Sequence, residues 1–278
     1  MVQLAKGGLE LGEGRYLHSV EKDEVELERL TIQASILDPI TIRHLETIGV
    51  AERWKCLEVG AGAGSIAQWL SRRVGPTGRT VATDIDLKFL NRLSAPSLEI
   101  RRHDILKDDL EAGHYDLAHC RLLLQHLPQP EKALKRMVDA VRPGGWVLVE
   151  EQDFGSTLSL DVTDPSAKAS LWVKAVRPQF DFLKKRGFAG SAYFGRRVRG
   201  LMEGLGLMEV GNEGWTRMTR GGEPMALERA TAWRAVARYS VGAISQEEVE
   251  SFIRLFSDPT FYYPEYTLFS AWGRKPEG

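Results

Sequence analysis

Apolar and polar positions follow two different rhythms along this chain. Between residues 54 and 155, short apolar runs end at Val59, Asp84, Arg102, Arg121 and Glu150, and stretches of helical spacing separate most of them. Continuous apolar runs mark strands covered on both faces, and strands alternating with helices mark a parallel sheet built from crossovers. The predicted strands are Trp54–Val59, Thr80–Asp84, Glu99–Arg102, a fourth that opens the stretch Tyr115–Pro130, and Trp146–Glu150. The intervening helices begin at Ser65, at Leu87 with Asp86 as N-cap, and at Glu131, the last running to Val141. Pro143 cannot continue that helix, and Gly144–Gly145 provide a left-handed exit into the next strand.

Outside this stretch the pattern is mostly helical. Residues 1–15 are glycine-rich and read as mobile. Glu21–Leu37 carries an imperfect apolar stripe (Val25, Leu27, Leu30, Ile32, Ile36, Leu37), and Pro39 can open a second helix reaching about Ile48. Beyond the fifth strand, the pattern predicts helices within Asp164–Leu205, a sixth strand at Met208–Met218, helices at Pro224–Val241 and Ser245–Phe256, and a last strand at Tyr266–Arg274. The expected fold class is α/β: a doubly wound, seven-stranded, mostly parallel sheet with N-terminal helices and a helical cap. Its expected divisions are an N-terminal helical extension (1–50), a core (51–155), a cap insertion (156–206) and the last two strands with further cap helices (207–278).

Candidate chemistry concentrates where the first strand turns into its helix, at Glu58-Val59-Gly60-Ala61-Gly62-Ala63-Gly64. Glycine suits such a turn because the backbone takes positive φ there and a ligand can approach without meeting a Cβ. A dinucleotide turn reads G-x-G-x-x-G, whereas here the third glycine comes one residue earlier, and an acid leads in from the strand. The E-x-G-x-G-x-G string resembles motif I of the class I S-adenosylmethionine (SAM) methyltransferases; a plain tight turn is the other reading. Three further stretches at the spacing of that family strengthen the resemblance: Thr80–Asp86, Leu98–Leu106, and Tyr115–Pro130 followed by Arg142-Pro-Gly-Gly145-Trp-Val-Leu-Val-Glu150. The broad ubiquinone/menaquinone-type and secondary-metabolite methyltransferases look most similar.

The resemblance implies a Rossmann-like fold and SAM as cofactor, with S-adenosylhomocysteine as product. It places Glu58, Gly60, Ala61, Gly62 and Gly64 at the cofactor. Asp84 ends the second strand 20 residues after Gly64, where a carboxylate can accept both ribose hydroxyls, with Ile85 against adenine. Helix capping is the competing role for Asp84 and Asp86. Asp104 and Ile105 fall where the family holds the adenine amine and ring, unless Asp104 is a surface loop acid. Arg121 and Gln125 lie in the segment passing under the methionine part. Tyr16 and Gln33 are the N-terminal side chains expected to touch the ligand, Gln33 because it interrupts an apolar neighbourhood. His126 is the candidate general base, with bracing of its loop as the alternative. Glu150, Glu151 and Asp153 either orient an acceptor or are solvated loop acids.

Net charge of −1 and a pI near 6.6 argue against a broad phosphate-binding surface, so no nucleic-acid partner is expected. The cluster Arg196-Arg-Val-Arg199 reads as a solvated helix face. Cys56 and Cys120, on strands expected side by side, read as small buried hydrophobes, with no metal or disulfide. No leader and no apolar stretch of about 20 residues is visible, which predicts a cytoplasmic protein without a membrane partner. The cap is rich in rings: Trp172, Phe180, Phe182, Phe188, Tyr193, Phe194, Trp233, Tyr239, Phe252, Phe256, Phe261, Tyr262 and Tyr263. Most are expected in ordinary core, the remainder around a small, ring-containing acceptor. The expected assembly is a monomer or homodimer. A nicotinamide-dependent oxidoreductase, a SAM-binding protein that does not methylate, and a macromolecule methyltransferase are the competing functions.

Overall fold

The computed structural model describes residues 23–157, 166–185, 193–236 and 244–277. Its chain order is α1 (Asp23–Ile48), β1 (Lys55–Val59), α2 (Ser65–Val74), β2 (Arg79–Asp84), β3 (Leu98–Arg102), β4 (Tyr115–Arg121), α3 (Pro130–Ala140) and β5 (Val141–Asp153). There follow α4 (Ala167–Lys185), α5 (Val198–Gly204), β6 (Met208–Arg220), α6 (Pro224–Val236), α7 (Gln246–Leu255) and β7 (Tyr262–Arg274). The seven strands form one sheet in the order β3-β2-β1-β4-β5-β7-β6. β7 alone runs antiparallel, inserted between β5 and β6.

Side chains alternate between the two faces of the sheet with the period of two that a strand imposes. On one face Cys56, Leu117 and Leu148 pack beneath α2 (Ile66, Leu70, Val74) and the end of α1 (Leu45). On the other, Leu57, Val59, Ala118, Cys120, Val147 and Val149 pack against α3 (Ala133, Leu134, Met137) and α5 (Val198, Met202). Cys56 and Cys120 are free and buried on neighbouring strands, but on opposite faces.

Several local expectations are corrected. Pro39 does not divide two helices: α1 runs unbroken from Asp23 to Ile48 with Pro39 inside it. Pro39 itself is exposed, while the buried residues around it, Leu37, Ile40, Thr41, His44 and Leu45, hold the helix to the sheet across the missing backbone bond. The stretch from Leu87 makes only a 3₁₀ turn at Leu90–Arg92, whose N-cap is Phe89, and Asp86 instead accepts the Lys88 N–H at 3.0 Å ahead of it. The Arg142–Gly145 turn is an interruption within β5, which already pairs at Val141 and resumes at Trp146. Gly144 there has φ of 74°, and a Cβ on Gly145 would sit 2.9–3.1 Å from three carbonyl oxygens. The Ser245 N-cap is completed by Glu248 in a capping box.

The cap rings make a second core. Trp172 lies against Phe252, Phe256, Phe261 and Tyr263 at centroid separations of 4.6–5.7 Å, and its indole N–H donates to the Thr157 carbonyl. Phe194 joins the sheet core, Tyr193 and Trp233 pack partly buried on the cap core, and Tyr262 is exposed. Phe188 and Tyr239 lie outside the described residues.

Candidate cofactor site at the carboxyl edge of the sheet

The glycine turn is built from the backbone of two strands. Gly60 and Ala61 donate to the carbonyl of Thr83 at 2.8 and 3.0 Å, and Gly64 donates back to Ala61 at 2.8 Å. All three glycines have positive φ: 68° at Gly60, 56° at Gly62 and 80° at Gly64. Their surroundings differ. A Cβ on Gly60 would lie 2.8 Å from Leu123, and one on Gly64 would lie 2.3 Å from Leu93, so a side chain at either would have to displace a packed leucine. At Gly62 the nearest atom among the described residues is Leu30 Cδ2 on α1, at 4.0 Å. No other described residue comes as close, and the Gly62 N–H donates to Asp84 Oδ2 at 3.0 Å.

Asp84 ends β2 half-buried beside this opening, and its other oxygen accepts the Asp86 N–H at 3.1 Å. Burial raises its pKa, against the backbone donors of Asp86, Gly62 and Ile85 that favour the anion. Ile85 follows with 62% of its surface exposed, an apolar group left uncovered at the crevice edge. Asp104 turns into its own loop instead: it accepts the Leu106 N–H and pairs with Lys107 at 2.9 Å, and the hydrogen bond from Lys107 lowers its pKa. The Ile105 side chain lies in the sheet core.

Glu58, Arg121 and Gln125 sit behind the crevice wall. Glu58 is 4% exposed, and its Oε2 lies 2.6 Å from His119 Nδ1. Arg121 donates to Asp38 Oδ1 and Thr41 Oγ1, both on α1 and both at 2.8 Å. Gln125 is buried with its Oε1 unpaired, and its Nε2 lies 3.3 Å from His126 Nε2. Gln33 hydrogen-bonds Tyr266 on β7, and Tyr16 lies outside the described residues.

Neither reading of the three β5 acids survives, because all are buried and all are structurally engaged. Glu150 accepts from Ser270 at 2.6 Å and from Thr41, and His119 Nε2 stands 3.4 Å away. Burial alone would lower the His119 pKa, but the charges and hydrogen bonds of Glu58 and Glu150 raise it; reciprocally, His119 and Arg121 hold Glu150 low against its burial. Glu151 projects to the opposite face and accepts the backbone N–H groups of Leu123, Leu124 and Gln125, fixing the turn that carries His126. Burial pushes its pKa up to about 8 even so. Asp153 takes both arms of Arg196, Arg197 pairs with Glu131 and Arg199 with Glu203, so the arginine cluster is a set of ion pairs.

Sequence reasoning missed His119, Thr41, Asp38 and Ser65. One signal was present: His119 and Arg121 are titratable positions on one face of an apolar strand, and buried charges need partners. A cleft of about 330 Å³ opens between α1 and α6, lined by Val25, Ile32, Pro224 and Leu227 with the acids Glu28 and Glu228 at its sides. None of the sequence-predicted cofactor residues lines it. Among the described residues, no group of His, Cys, Asp or Glu is arranged to hold a metal ion, and no helix is long and apolar enough to cross a membrane.

The strand order, the lone antiparallel β7 and the glycine turn after β1 together define the Rossmann-like fold of class I methyltransferases. A family model described as a methyltransferase domain matches residues 27–192, and the chain belongs to that family. A curated relative, Methyltransferase str2 of Strobilurus tenacellus, is 27% identical over 182 residues, 65% of this chain and 63% of that protein. The ubiquinone/menaquinone biosynthesis C-methyltransferase of Laribacter hongkongensis is 33% identical over 113 residues, 38% of this chain and 46% of that one. The chain thus spans less than two thirds of the length of these relatives. Among solved structures, a SAM-dependent methyltransferase from Aquifex aeolicus shares the fold with a TM-score of 0.50 at 16% identity, over 91% of this chain and 99% of that one.

Proposed function

We propose that the protein binds SAM at the glycine turn and transfers a methyl group to a small, apolar or ring-containing acceptor. The observation that carries this reading is Gly62. Of the three glycines it alone has no described residue crowding the place of a side chain, and it is hydrogen-bonded to the half-buried Asp84. The residues fit the ligand: Asp84 would accept the ribose hydroxyls, the exposed Ile85 would cover one adenine face, and the Ala61–Gly62 backbone would lie along the methionine part. Asp104 would have to release Lys107 to take the adenine amine.

SAM, when bound, supplies an electrophilic methyl whose leaving group is a neutral thioether. No acid is then required of the protein, and its residues align the acceptor and exclude water, an effect worth roughly 7–11 kcal/mol in favourable cases. His126, on the turn held by Glu151, would remove a proton only from an acceptor hydroxyl. The near-neutral charge supports a small molecule over nucleic acid. The lack of a spanning helix among the described residues supports a cytoplasmic setting.

Calorimetric titration with SAM, S-adenosylhomocysteine and NAD tests the reading, followed by a metabolite screen that detects S-adenosylhomocysteine production. SAM binding with turnover on a small acceptor is expected. Binding of NAD without SAM would replace this reading with an oxidoreductase, and SAM binding without turnover on any acceptor would leave a non-methylating SAM protein.

A further inference from the structure

Three side chains on one face of the sheet meet where the register aligns β1, β4 and β5. Glu58 and His119 are direct partners across β1 and β4, and Glu150 stands beside them on β5. From Glu58 the chain of contacts runs to His119 (2.6 Å), then to Glu150 (3.4 Å), then to the hydroxyl of Thr41 on α1. Thr41 also accepts from Arg121, whose other arm reaches Asp38 one helical turn back at 2.8 Å. Asp38 finally accepts from the hydroxyl of Ser65 at 3.0 Å. Glu58 is the residue before Val59-Gly60 and Ser65 the residue after Gly64, so the path begins at one end of the glycine turn and closes at the other.

We propose that this closed circuit of hydrogen bonds makes Thr41 and His119 positioning residues for SAM, fastening α1 across the glycine turn at a fixed height. Three carboxylates share an imidazole and a guanidinium there, and the hydroxyls of Thr41, Ser270 and Ser65 donate to Glu150 and Asp38, bonds of the kind by which a buried polar network rigidifies its surroundings. Asp38 and Thr41 bracket Pro39, the one position where α1 lacks a backbone donor, so side-chain anchors hold the helix where its own ladder is interrupted. The same helix places Leu30 over Gly62 and Gln33 against Tyr266. The height of α1 above the sheet therefore sets the depth of the crevice in front of Gly62.

The inference rests on the SAM reading and can be tested separately from it. Thr41→Val keeps the shape of the side chain and removes the hydroxyl; Thr41→Ser keeps the hydroxyl; Ser65→Ala opens the circuit at its far end. Hydrogen exchange without ligand is expected to speed up over Asp38–Ile48 in Thr41→Val and to return to the wild-type rate in Thr41→Ser. Calorimetry is expected to show SAM affinity about tenfold weaker in Thr41→Val, restored by serine, with the Thr41→Val/Ser65→Ala double variant no worse than the weaker single one, because a circuit opened once is already open. His119→Gln, which preserves hydrogen bonding without the charge, is expected to fall between. If wild type binds SAM and Thr41→Val binds it equally, or if the two single effects simply add, the circuit is not a positioning device. If wild type does not bind SAM, the functional reading fails, while the exchange result still decides whether the circuit anchors α1.

Discussion

The two halves of this molecule achieve rigidity by opposite means. At the β1–β4 end, short parallel strands end in turns held by backbone bonds, positive-φ glycines and a buried polar circuit reaching α1. At the β5–β7–β6 end, strands of 13 residues carry a helical cap whose order comes from ring packing around Trp172. Directional bonds fix a geometry to within tenths of an ångström, as a ligand-binding turn requires. Apolar packing tolerates substitution as long as volume is kept, so a cap built this way can be reshaped without disturbing the turn.

The largest effect is expected from Trp172→Ala. Removing a fully buried indole that touches four rings should cost about 3–5 kcal/mol, read by chemical denaturation. SAM affinity at low temperature should stay within a few-fold of wild type, and a matching collapse of affinity would break the contrast between the halves. Asp84→Ala inverts the pattern: SAM binding should weaken by about 1.5–3 kcal/mol with little change in stability, and an unchanged affinity would move the ribose site elsewhere.

Within the turn, the glycines separate packing from access. Gly64→Ala must displace Leu93 and Leu90 and should cost about 2 kcal/mol of stability. Gly62→Ala meets nothing closer than Leu30 and should cost only about 1 kcal/mol, yet reduce SAM affinity more than its stability loss accounts for. Equal effects on affinity from the two variants would remove the special standing of Gly62.

The smallest effect belongs to the surface pairs. The hydrogen bond from Arg101, with help from Tyr115, holds the Glu111 carboxyl down at about 2. A depressed folded-state pKa stabilises above the unfolded value near 4.5 and is lost as pH falls toward 2. Because both partners remain about a quarter to two fifths exposed, Glu111→Gln should flatten that acid loss by no more than about 1 kcal/mol, measured by melting at pH 5 and pH 2.5.

Strand runs, the third glycine's early position and the acid at the tip of β2 were legible from residue order alone, because each is dictated by local backbone chemistry or by burial on both faces of a strand. The Pro39 break was misread for the complementary reason. A proline's local cost is visible in the sequence, whereas the tertiary contacts of Leu37, Ile40, Thr41 and Leu45 that outweigh it are not. Glu150, Glu151 and Asp153 were read as acids at an open mouth because carboxylates usually face water, but partners from α1, β4, β7 and the Leu123–Gln125 turn make their burial sustainable.

By itself the sequence determined the order of elements, the parallel sheet, the glycine turn and the methyltransferase resemblance, since periodicity and turn chemistry act over a few neighbouring residues. Only the tertiary structure decided that Glu58, His119 and Glu150 share one face, that α1 is a single helix fastened over the turn, and which of the described cap rings form a core. Those outcomes depend on strand register and on contacts between residues far apart in the chain, such as Ser270 to Glu150, 120 positions apart, which no local pattern encodes.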